Sequence, residues 1–293
     1  MIGGRFAIAC LAALLLGACS EVDSPPTTAE NPLLWEIANS EGQVEGWLYG
    51  TIHALPDGVD WQTGAVADII DRADFLVVEV ADLDDSQALS KAFSEAARSS
   101  GHPLLHQRVP VGKRSALEDL ARKTPYSPED YREIETWAAA LIIAQAVPTQ
   151  SDNANGVDMA LLKQFAGRRI AELEGAKRQF AIFDALAEED QRALLAAVVA
   201  QAQDPAAAMR PAELWLAGDE AALVDELEDG MLADPELRQA LLVSRNLNWS
   251  KQIEAMLAVP ERPLVAVGAA HLVGPGGLVS LLRSKGYSIR RTP

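Results

Sequence analysis

The sequence Trp47-Leu48-Tyr49-Gly50-Thr51-Ile52-His53 combines a buried-strand pattern with a Gly-x-x-His motif at its end. The same order returns near the other end of the chain, where Leu264-Val265-Ala266-Val267 runs into Gly268-Ala269-Ala270-His271. Each motif is followed by a loop, a helical pattern and another apolar segment. These two histidines are half of the four in the chain. We therefore predict an internal duplication whose two copies bring His53 and His271 to one site.

Apolar periodicity along the chain indicates an α/β fold. Residues 75–80 form a nearly continuous apolar run, which is typical of a strand buried on both faces of a sheet. Residues 33–35 and 46–49 predict a hairpin, and residues 264–267 and 287–290 predict two strands at the carboxyl end. We expect these segments from both ends of the chain to build one central mixed sheet out of two β-GxxH-α-β repeats.

The middle of the chain is rich in Ala and Leu at helical spacing and poor in β-branched runs. This pattern predicts a long helical insert over about residues 86–260 that could roof a site at the sheet edge. A short strand is predicted inside the insert at residues 169–173. The predicted helices cover residues 62–72, 86–97, 113–123, 128–146, 157–166, 188–202, 205–217, 235–256 and 277–285.

Residues 1–19 resemble the signal peptide of a bacterial lipoprotein. Arg5 precedes an apolar stretch over residues 6–16, which is shorter than the roughly 20 residues that a bilayer span requires. Leu16-Gly17-Ala18-Cys19 then fits a lipobox, so we expect Cys19 to become the lipidated amino terminus. An ordinary cleaved signal with a chance cysteine is the alternative. Ser20 resembles the outer-membrane sorting pattern, which predicts a lipid-anchored envelope protein that faces the periplasm.

Beyond the signal, we predict two further regions. Residues 20–31 are polar and contain two adjacent prolines, so they predict a flexible tether. Residues 32–293 are expected to form a single α/β domain. Both cysteines, Cys10 and Cys19, lie in the signal peptide, which leaves the domain without a disulfide or a cysteine-based metal site.

The chain is acidic, with a formal net charge of −17. An excess of carboxylates disfavours binding to nucleic acid and to anionic lipid surfaces. No Walker A, His-Glu-x-x-His or Gly-x-Ser-x-Gly motif occurs in the sequence, which disfavours those three classes of enzyme.

Glu79 is the single charge in the apolar run of residues 75–80. An ionised carboxylate is costly in such a strand unless it is paired with a cation, a metal or hydrogen-bond donors. The alternative is a strand that ends early, with Glu79 in solvent. Because ligands of open α/β sheets gather at the carboxyl ends of strands, we expect Glu79 to lie beside His53 and His271. Gly50 and Gly268 would let the chain turn sharply and approach a ligand closely.

Two histidines and one glutamate are the usual ligands of a hydrolytic metal ion that keeps open coordination positions. The same three side chains could instead act without metal, with Glu79 orienting a histidine that activates water. Both interpretations stay open on the residues alone.

The ordered set of motifs resembles the TraB/GumN family, whose relatives include the Tiki Wnt-cleaving metalloproteases. A single Gly-x-x-His is a weak signal, whereas the ordered set is specific, and the resemblance covers about residues 32–293. One departure is Ala270, where the family often has a second glycine. The matching segments are Trp35-Glu36-Ile37, residues 48–53, Val78-Glu79-Val80, Gly156-Val157-Asp158, Glu172-Leu173-Glu174 with Gln179, Trp215 with Gly218-Asp219, Arg245-Asn246 and residues 267–274.

The resemblance implies an active centre formed by His53, Glu79 and His271. In Tiki proteins this centre goes with Mn²⁺- or Co²⁺-dependent peptidase activity, which implies a metal-dependent hydrolase acting on a peptide or small-molecule substrate. Arg245 and Asn246 match a pair that lies near the site in the wider superfamily. Arg245 could hold Glu79 or a substrate carboxylate, and Asn246 could polarise a carbonyl.

Other interpretations stay open. Erythromycin esterases share these motif types, which implies a metal-independent hydrolase that uses the same residues. A related lipoprotein family with a similar fold binds haem, which implies a haem or metal carrier without catalysis, and the GumN name suggests a scaffold in polysaccharide export. His102 and His106 have a spacing that would suit a metal on a helix, but Pro103 favours a loop at His102.

Overall fold

The computed structural model describes residues 27–29, 31–62, 64–83 and 85–292. The predicted signal peptide, with Cys19, lies outside the described residues. Among the helices that these residues form, none combines the length and the apolar character that a membrane span requires.

The strands come mainly from the two ends of the chain. Those of the described residues are β1 (Thr27–Thr28), β2 (Leu34–Ala38), β3 (Val44–Thr51), β4 (Val59–Asp60), β5 (Phe75–Val78), β6 (Arg169–Glu172), β7 (Pro263–Gly268) and β8 (Ser288–Arg291).

A six-stranded mixed sheet with the order β6-β5-β7-β3-β2-β8 forms the centre of the described molecule. Strands β6, β5, β7 and β3 run parallel, and β2 pairs antiparallel with both β3 and β8. Since β8 is antiparallel to β2, it runs in the same direction as β7. The sheet confirms the α/β fold class, the central mixed sheet and the hairpin predicted from residues 33–49.

The two Gly-x-x-His motifs lie side by side at one edge of this sheet. Strands β3 and β7 are neighbours, and Thr51 pairs with Gly268 in the parallel register. Strand β3 is buried from Gly46 to Thr51 and β7 from Pro263 to Val267, as expected for strands covered on both faces. Each motif is followed by a helix and another strand, so both copies of the predicted β-GxxH-α-β unit are present. The carboxyl ends of their first strands, β3 and β7, lie side by side.

The helices are α1 (Ala65–Arg72), α2 (Ser86–Ala96), α3 (Arg114–Ala121), α4 (Thr136–Ala144), α5 (Val157–Gln164), α6 (Gly175–Asp184), α7 (Glu188–Gln203), α8 (Pro205–Ala217), α9 (Glu220–Asp229), α10 (Pro235–Arg238), α11 (Ser244–Leu257) and α12 (Leu278–Ser284). All except α1 and α12 belong to the predicted insert. The insert also contains β6, at the position predicted for its short strand.

Two long helices predicted from the sequence are interrupted. Over residues 128–146 a 3-10 turn at Asp130–Glu133 precedes α4, because the buried guanidinium of Arg108 takes the carbonyls of Tyr131 and Ile134. Over residues 235–256 a π-helical turn at Gln239–Val243 separates α10 from α11. Such turns occur often at functional sites, and this one ends two residues before Arg245.

The amino-terminal end of the described chain is part of the folded body. Strand β1 pairs in parallel with β4, and Ala29 N–H donates to the carbonyl of Asp60 at 3.2 Å. Residues 27–29, which lie in the segment assigned to the tether over residues 20–31, are therefore hydrogen-bonded to the loop that follows His53.

Candidate functional site

The carboxyl ends of the four parallel strands meet at one edge, and each is followed by a polar side chain of the candidate site. His53 follows β3, Glu79 follows β5, Glu174 follows β6 and His271 follows β7. The structure thus brings His53, Glu79 and His271 to the common edge predicted for them. Glu79 contributes to the pKa of both histidines, both histidines contribute to the pKa of Glu79, and His53 contributes to that of His271.

His53 is held by a carboxylate from the helical insert. Its Nδ1 lies 2.8 Å from Oδ2 of Asp158, and the Thr51 hydroxyl donates to Oδ1 of the same carboxylate at 2.6 Å. Asp158 sits in the first turn of α5, where the helix dipole favours a negative charge. Val157 N–H donates to the carbonyl of Ile52 at 2.9 Å, which fastens the start of α5 to the His53 loop.

The two nitrogens of His53 have different surroundings. Nδ1 faces Asp158, which is 8% exposed, whereas the imidazole as a whole is 71% exposed and offers Nε2 to solvent. The hydrogen bond with Asp158 stabilises the imidazolium, and this outweighs the desolvation of the ring and raises the pKa of His53 to about 9. His53 is therefore an oriented imidazole whose free nitrogen is accessible to a substrate or to water.

Glu79 is a buried carboxylate with three donors. Its Oε1 accepts from the Gly268 N–H at 2.9 Å, and its Oε2 accepts from Arg245 at 2.6 Å and from Gln179 at 3.3 Å. Burial opposes its ionisation, but the charges of His271, Arg245 and His53 and the Gly268 hydrogen bond together lower the pKa of Glu79 to about 2. Glu79, for which the sequence alone showed no partner, is therefore paired in the structure with Gly268, Arg245 and Gln179.

Arg245 uses all five of its N–H donors inside the protein. Nε donates to Glu174, Nη1 to the carbonyl of Leu241 and to Nε2 of His271, and Nη2 to Glu79 and Glu174. Of the two roles predicted for Arg245, the structure shows it holding Glu79. The second role, binding a substrate carboxylate, would require it to give up one of these partners.

His271 is buried, and both of its nitrogens are engaged. Because Arg245 can only donate, Nε2 accepts from it at 3.1 Å, and Nδ1–H therefore donates to Oδ1 of Asn246 at 2.6 Å. Burial lowers the pKa of His271 to about 4, with Arg245 and His53 adding to the effect, so this ring is neutral at pH 7. The amide nitrogen of Asn246 donates to the Gly276 carbonyl at 2.9 Å.

Asn246 is thus placed to fix the ring of His271. It is fully buried, and its Oδ1 and Nδ2 both bind protein groups, so in this arrangement the side chain faces the protein interior rather than a substrate carbonyl. The remaining histidines lie elsewhere in the insert. His102 contacts Ser99 and Glu135 in a loop, as its sequence predicts, and His106 faces Glu118.

Close packing requires a glycine at Gly50 but not at Gly268. Neither Gly50 nor Gly268 has a positive φ. A Cβ at Gly50 would lie 3.0 Å from the Cβ of Leu33 and 3.2 Å from Ala269, which lets β3 and the β7 loop approach. Gly268 contributes its N–H to Glu79. The sharp turn predicted at these glycines is therefore not made through a positive φ at either position.

The Mn²⁺ or Co²⁺ implied by the family resemblance can be tested against the donors present. No group of three or more His, Cys, Asp and Glu side chains in the described ranges is arranged to hold a metal ion. Glu79 and His271 accept hydrogen bonds from protein N–H groups, Arg245 foremost. His53, Glu79 and His271 do not fit a shared ligand set in this arrangement, and their metal-binding role stays a prediction.

Several residues of the site were not assigned a role from the sequence. Asp158, Glu174 and Gln179 make its main hydrogen bonds, although their segments had been noted only as motif matches. Trp215 donates its indole N–H to the Gly50 carbonyl at 2.8 Å and so supports the first motif. The spacing Gly-Val-Asp at the start of a predicted helix was the available signal for Asp158.

Comparison with known proteins bears on identity. Residues 33–291 match the TraB/PrgY/gumN family. A Shigella flexneri relative described as "Uncharacterized protein YbaP" is 27% identical over 247 residues, which cover 83% of this chain and 89% of the relative. Its Escherichia coli (strain K12) counterpart of the same description is 27% identical over 184 residues, or 61% and 68% of the two chains. No solved structure matches this chain.

The family match spans the whole body that carries the sheet, the insert and the site, and it includes both Gly-x-x-His motifs, Glu79 and the Arg245-Asn246 pair. The chain therefore belongs to the TraB/PrgY/gumN family.

Proposed function

We propose that the chain is a hydrolase in which His53, oriented by Asp158, activates water against the carbonyl of a peptide or ester. The observation that carries this proposal is the pairing of the His53 Nδ1 with Asp158 at 2.8 Å while the imidazole is 71% exposed. A carboxylate behind a histidine fixes its tautomer and orientation and leaves Nε2 as the reactive nitrogen.

The chemistry assigned to this pair is a proton transfer in both directions. The neutral Nε2 takes a proton from water as the water oxygen bonds to the substrate carbonyl carbon. The resulting imidazolium, stabilised by Asp158, returns that proton to the leaving nitrogen or oxygen as its bond to carbon breaks. A positioned base of this kind contributes about 10²–10⁴-fold to a rate. Because the pKa of His53 is raised to about 9, the fraction of reactive neutral imidazole increases with pH up to that value.

A metal-dependent peptidase is the second candidate, and the same pair favours it. Histidines that bind metal ions commonly donate their other N–H to a carboxylate, as His53 faces Asp158. Mn²⁺ or Co²⁺ would supply a Lewis acid and a more acidic water. His53 Nε2 would be its ligand, and Glu79 could join only after Arg245 releases it.

Hydrolysis of a panel of fluorogenic peptides and aryl esters by the purified chain tests the proposal. We expect activity that persists in excess chelator, is lost in His53→Ala and is retained in His106→Ala, a matched histidine beside a carboxylate in the insert. Activity that disappears with chelator and returns with Mn²⁺ or Co²⁺ selects the metal-dependent candidate. Equal activity in wild type and His53→Ala would overturn both.

We also propose that the chain is a lipid-anchored protein of the bacterial cell envelope, on the strength of the lipobox ending at Cys19. The wild-type chain should incorporate radiolabelled palmitate, and the labelled chain should sediment with membranes. Cys19→Ala should lose both the label and the sedimentation, and a Cys19→Ala chain that keeps the label would contradict the assignment.

A further inference from the structure

Arg245 occupies the centre of a polar cluster that has the composition of a metal site. Its guanidinium is surrounded by the carboxylates of Glu79 and Glu174 and by Nε2 of His271. All of these side chains are buried, with Arg245 and Glu79 each 10% exposed and Glu174 1% exposed. Two carboxylates and a neutral imidazole are ligands that divalent transition metals take in proteins.

The charges within the cluster are matched to a cation at its centre. Nη2 of Arg245 donates to Oε2 of Glu79 and to Oε1 of Glu174, so each carboxylate turns an oxygen towards the guanidinium. Nε2 of His271 accepts from Nη1 of Arg245, so its lone pair faces the guanidinium as well. The guanidinium also stacks over the Trp249 ring, 4.5 Å from its centroid, which favours a cation at this position further.

We infer that Arg245 is a built-in cation that takes the place of a divalent metal between Glu79, Glu174 and His271, and that removing its guanidinium converts this cluster into a metal site. Each lone pair that such an ion would need points at an Arg245 N–H in the structure. Loss of the side chain would leave two buried carboxylates without a counter-charge and an open space between them. A divalent ion would supply the counter-charge and fill the space.

This inference concerns the buried cluster alone, so it holds whether or not His53 catalyses hydrolysis. Its test therefore measures metal binding rather than activity. All variants also carry His53→Ala, because the exposed imidazole of His53 could bind an ion by itself.

Binding of Co²⁺ is followed by its visible absorption, by calorimetry and by the melting temperature. We expect Arg245→Ala to bind one ion per chain and to melt at a higher temperature when Co²⁺ is added, because a ligand that binds only the folded state stabilises it. The His53→Ala chain with Arg245 unchanged and the chain with Arg245→Lys should show neither effect, since both keep a positive charge in the cluster. Adding His271→Ala or Glu174→Gln to Arg245→Ala should weaken the binding.

The outcomes are decisive in either direction. Co²⁺ binding with Arg245 intact that is lost in His271→Ala would overturn the inference, and so would a folded Arg245→Ala that binds no ion. If Arg245→Ala is unfolded without metal, recovery of a cooperative melting transition on adding Co²⁺ supports the inference and failure to recover it contradicts it. Arg245→Gln, which removes the charge but keeps an amide in the space, provides the second variant and should also gain binding.

Discussion

His53 and His271 end the two copies of one motif, yet their chemical states are opposite. Nδ1 of His53 faces the carboxylate of Asp158, and Nδ1–H of His271 donates to the amide of Asn246. The carboxylate favours a charged ring and raises one pKa to about 9, while burial beside Arg245 lowers the other to about 4. When the surroundings of two paired groups push their pKa values apart, the two groups can act differently in the same site.

The partner of His53 makes a prediction that needs no substrate. In an NMR titration of the imidazole resonances, His53 should titrate near 9, and Asp158→Asn should lower its pKa towards the ordinary value of 6.5. The raised pKa stabilises the folded chain below 6.5, and this contribution is lost as the pH rises through about 9. The stability difference between wild type and Asp158→Asn should therefore be larger at pH 6 than at pH 10. An unchanged His53 pKa in Asp158→Asn would contradict the pairing.

The buried Arg245 predicts a large loss of stability on truncation. Arg245→Ala leaves Glu79 and Glu174 buried without their counter-charge, which should lower the free energy of unfolding by about 3–5 kcal/mol in metal-free buffer. Denaturant unfolding measures it. Arg169→Ala is the matched control, since its ion pair with Glu261 is 52% and 56% exposed and should change stability by about 0–1 kcal/mol. Equal losses in the two variants would show that the cluster is not the source.

The residues at the sheet edge were predictable to different degrees. His53, Glu79 and His271 could be found because each follows an apolar strand, and strand ends meet at one edge. Asp158 could not be paired with His53 from the sequence, since it comes from a helix far along the chain and only tertiary packing sets their distance. The same holds for Arg245, whose partners lie on three other segments.

At the scale of elements, local pattern predicted strands better than helix ends. The predicted helix over residues 128–146 failed because a buried arginine captures carbonyls that would continue it. Helix α9 was not predicted, although Asp219 caps it by accepting from the Ala221 and Ala222 N–H groups and was visible as a capping residue. Helix α6 begins at Gly175 with φ of +74°, which a propensity argument does not anticipate.

The junction between the His53 loop and α5 gives an element-scale prediction. A Cβ at Gly156 would lie 2.4 Å from the carbonyl oxygen of His53, so Gly156→Ala must push the two segments apart. We expect a loss of about 1–3 kcal/mol and a weakened His53–Asp158 hydrogen bond, seen as a lower His53 pKa. Gly112→Ala, where no atom lies within 4 Å of the added Cβ, is the control and should change neither. A Gly156→Ala protein with wild-type stability and pKa would refute the contact.

At the scale of the whole molecule, the insert is part of the site. It supplies Asp158, Glu174, Gln179, Arg245 and Asn246, while the sheet supplies the histidines and Glu79. The described residues form two hydrophobic clusters, one around the sheet and one within the insert. Leu227 packs against both clusters, so the two are joined by apolar contacts as well as by the polar network.

This continuity predicts a single unfolding transition. Trp137 belongs to the insert cluster, whereas Trp35, Trp47 and Trp249 belong to the sheet cluster. In a Trp137-only variant, the fluorescence and the far-UV circular dichroism should change at the same denaturant concentration. The same agreement between the two signals is expected in Trp137→Phe. Two separate midpoints within one variant would show that the insert unfolds independently.

We propose above that His53, oriented by Asp158, activates water, while His271 in the second motif is held neutral by its buried partners. The pH dependence of kcat/KM for hydrolysis, measured in excess chelator for wild type and Asp158→Asn, tests it most directly. We expect kcat/KM to rise through an apparent pKa near 9 in the wild type, and through a lower pKa with a smaller maximum in Asp158→Asn. A profile whose inflection does not move in Asp158→Asn, or hydrolysis that vanishes with chelator, would contradict it.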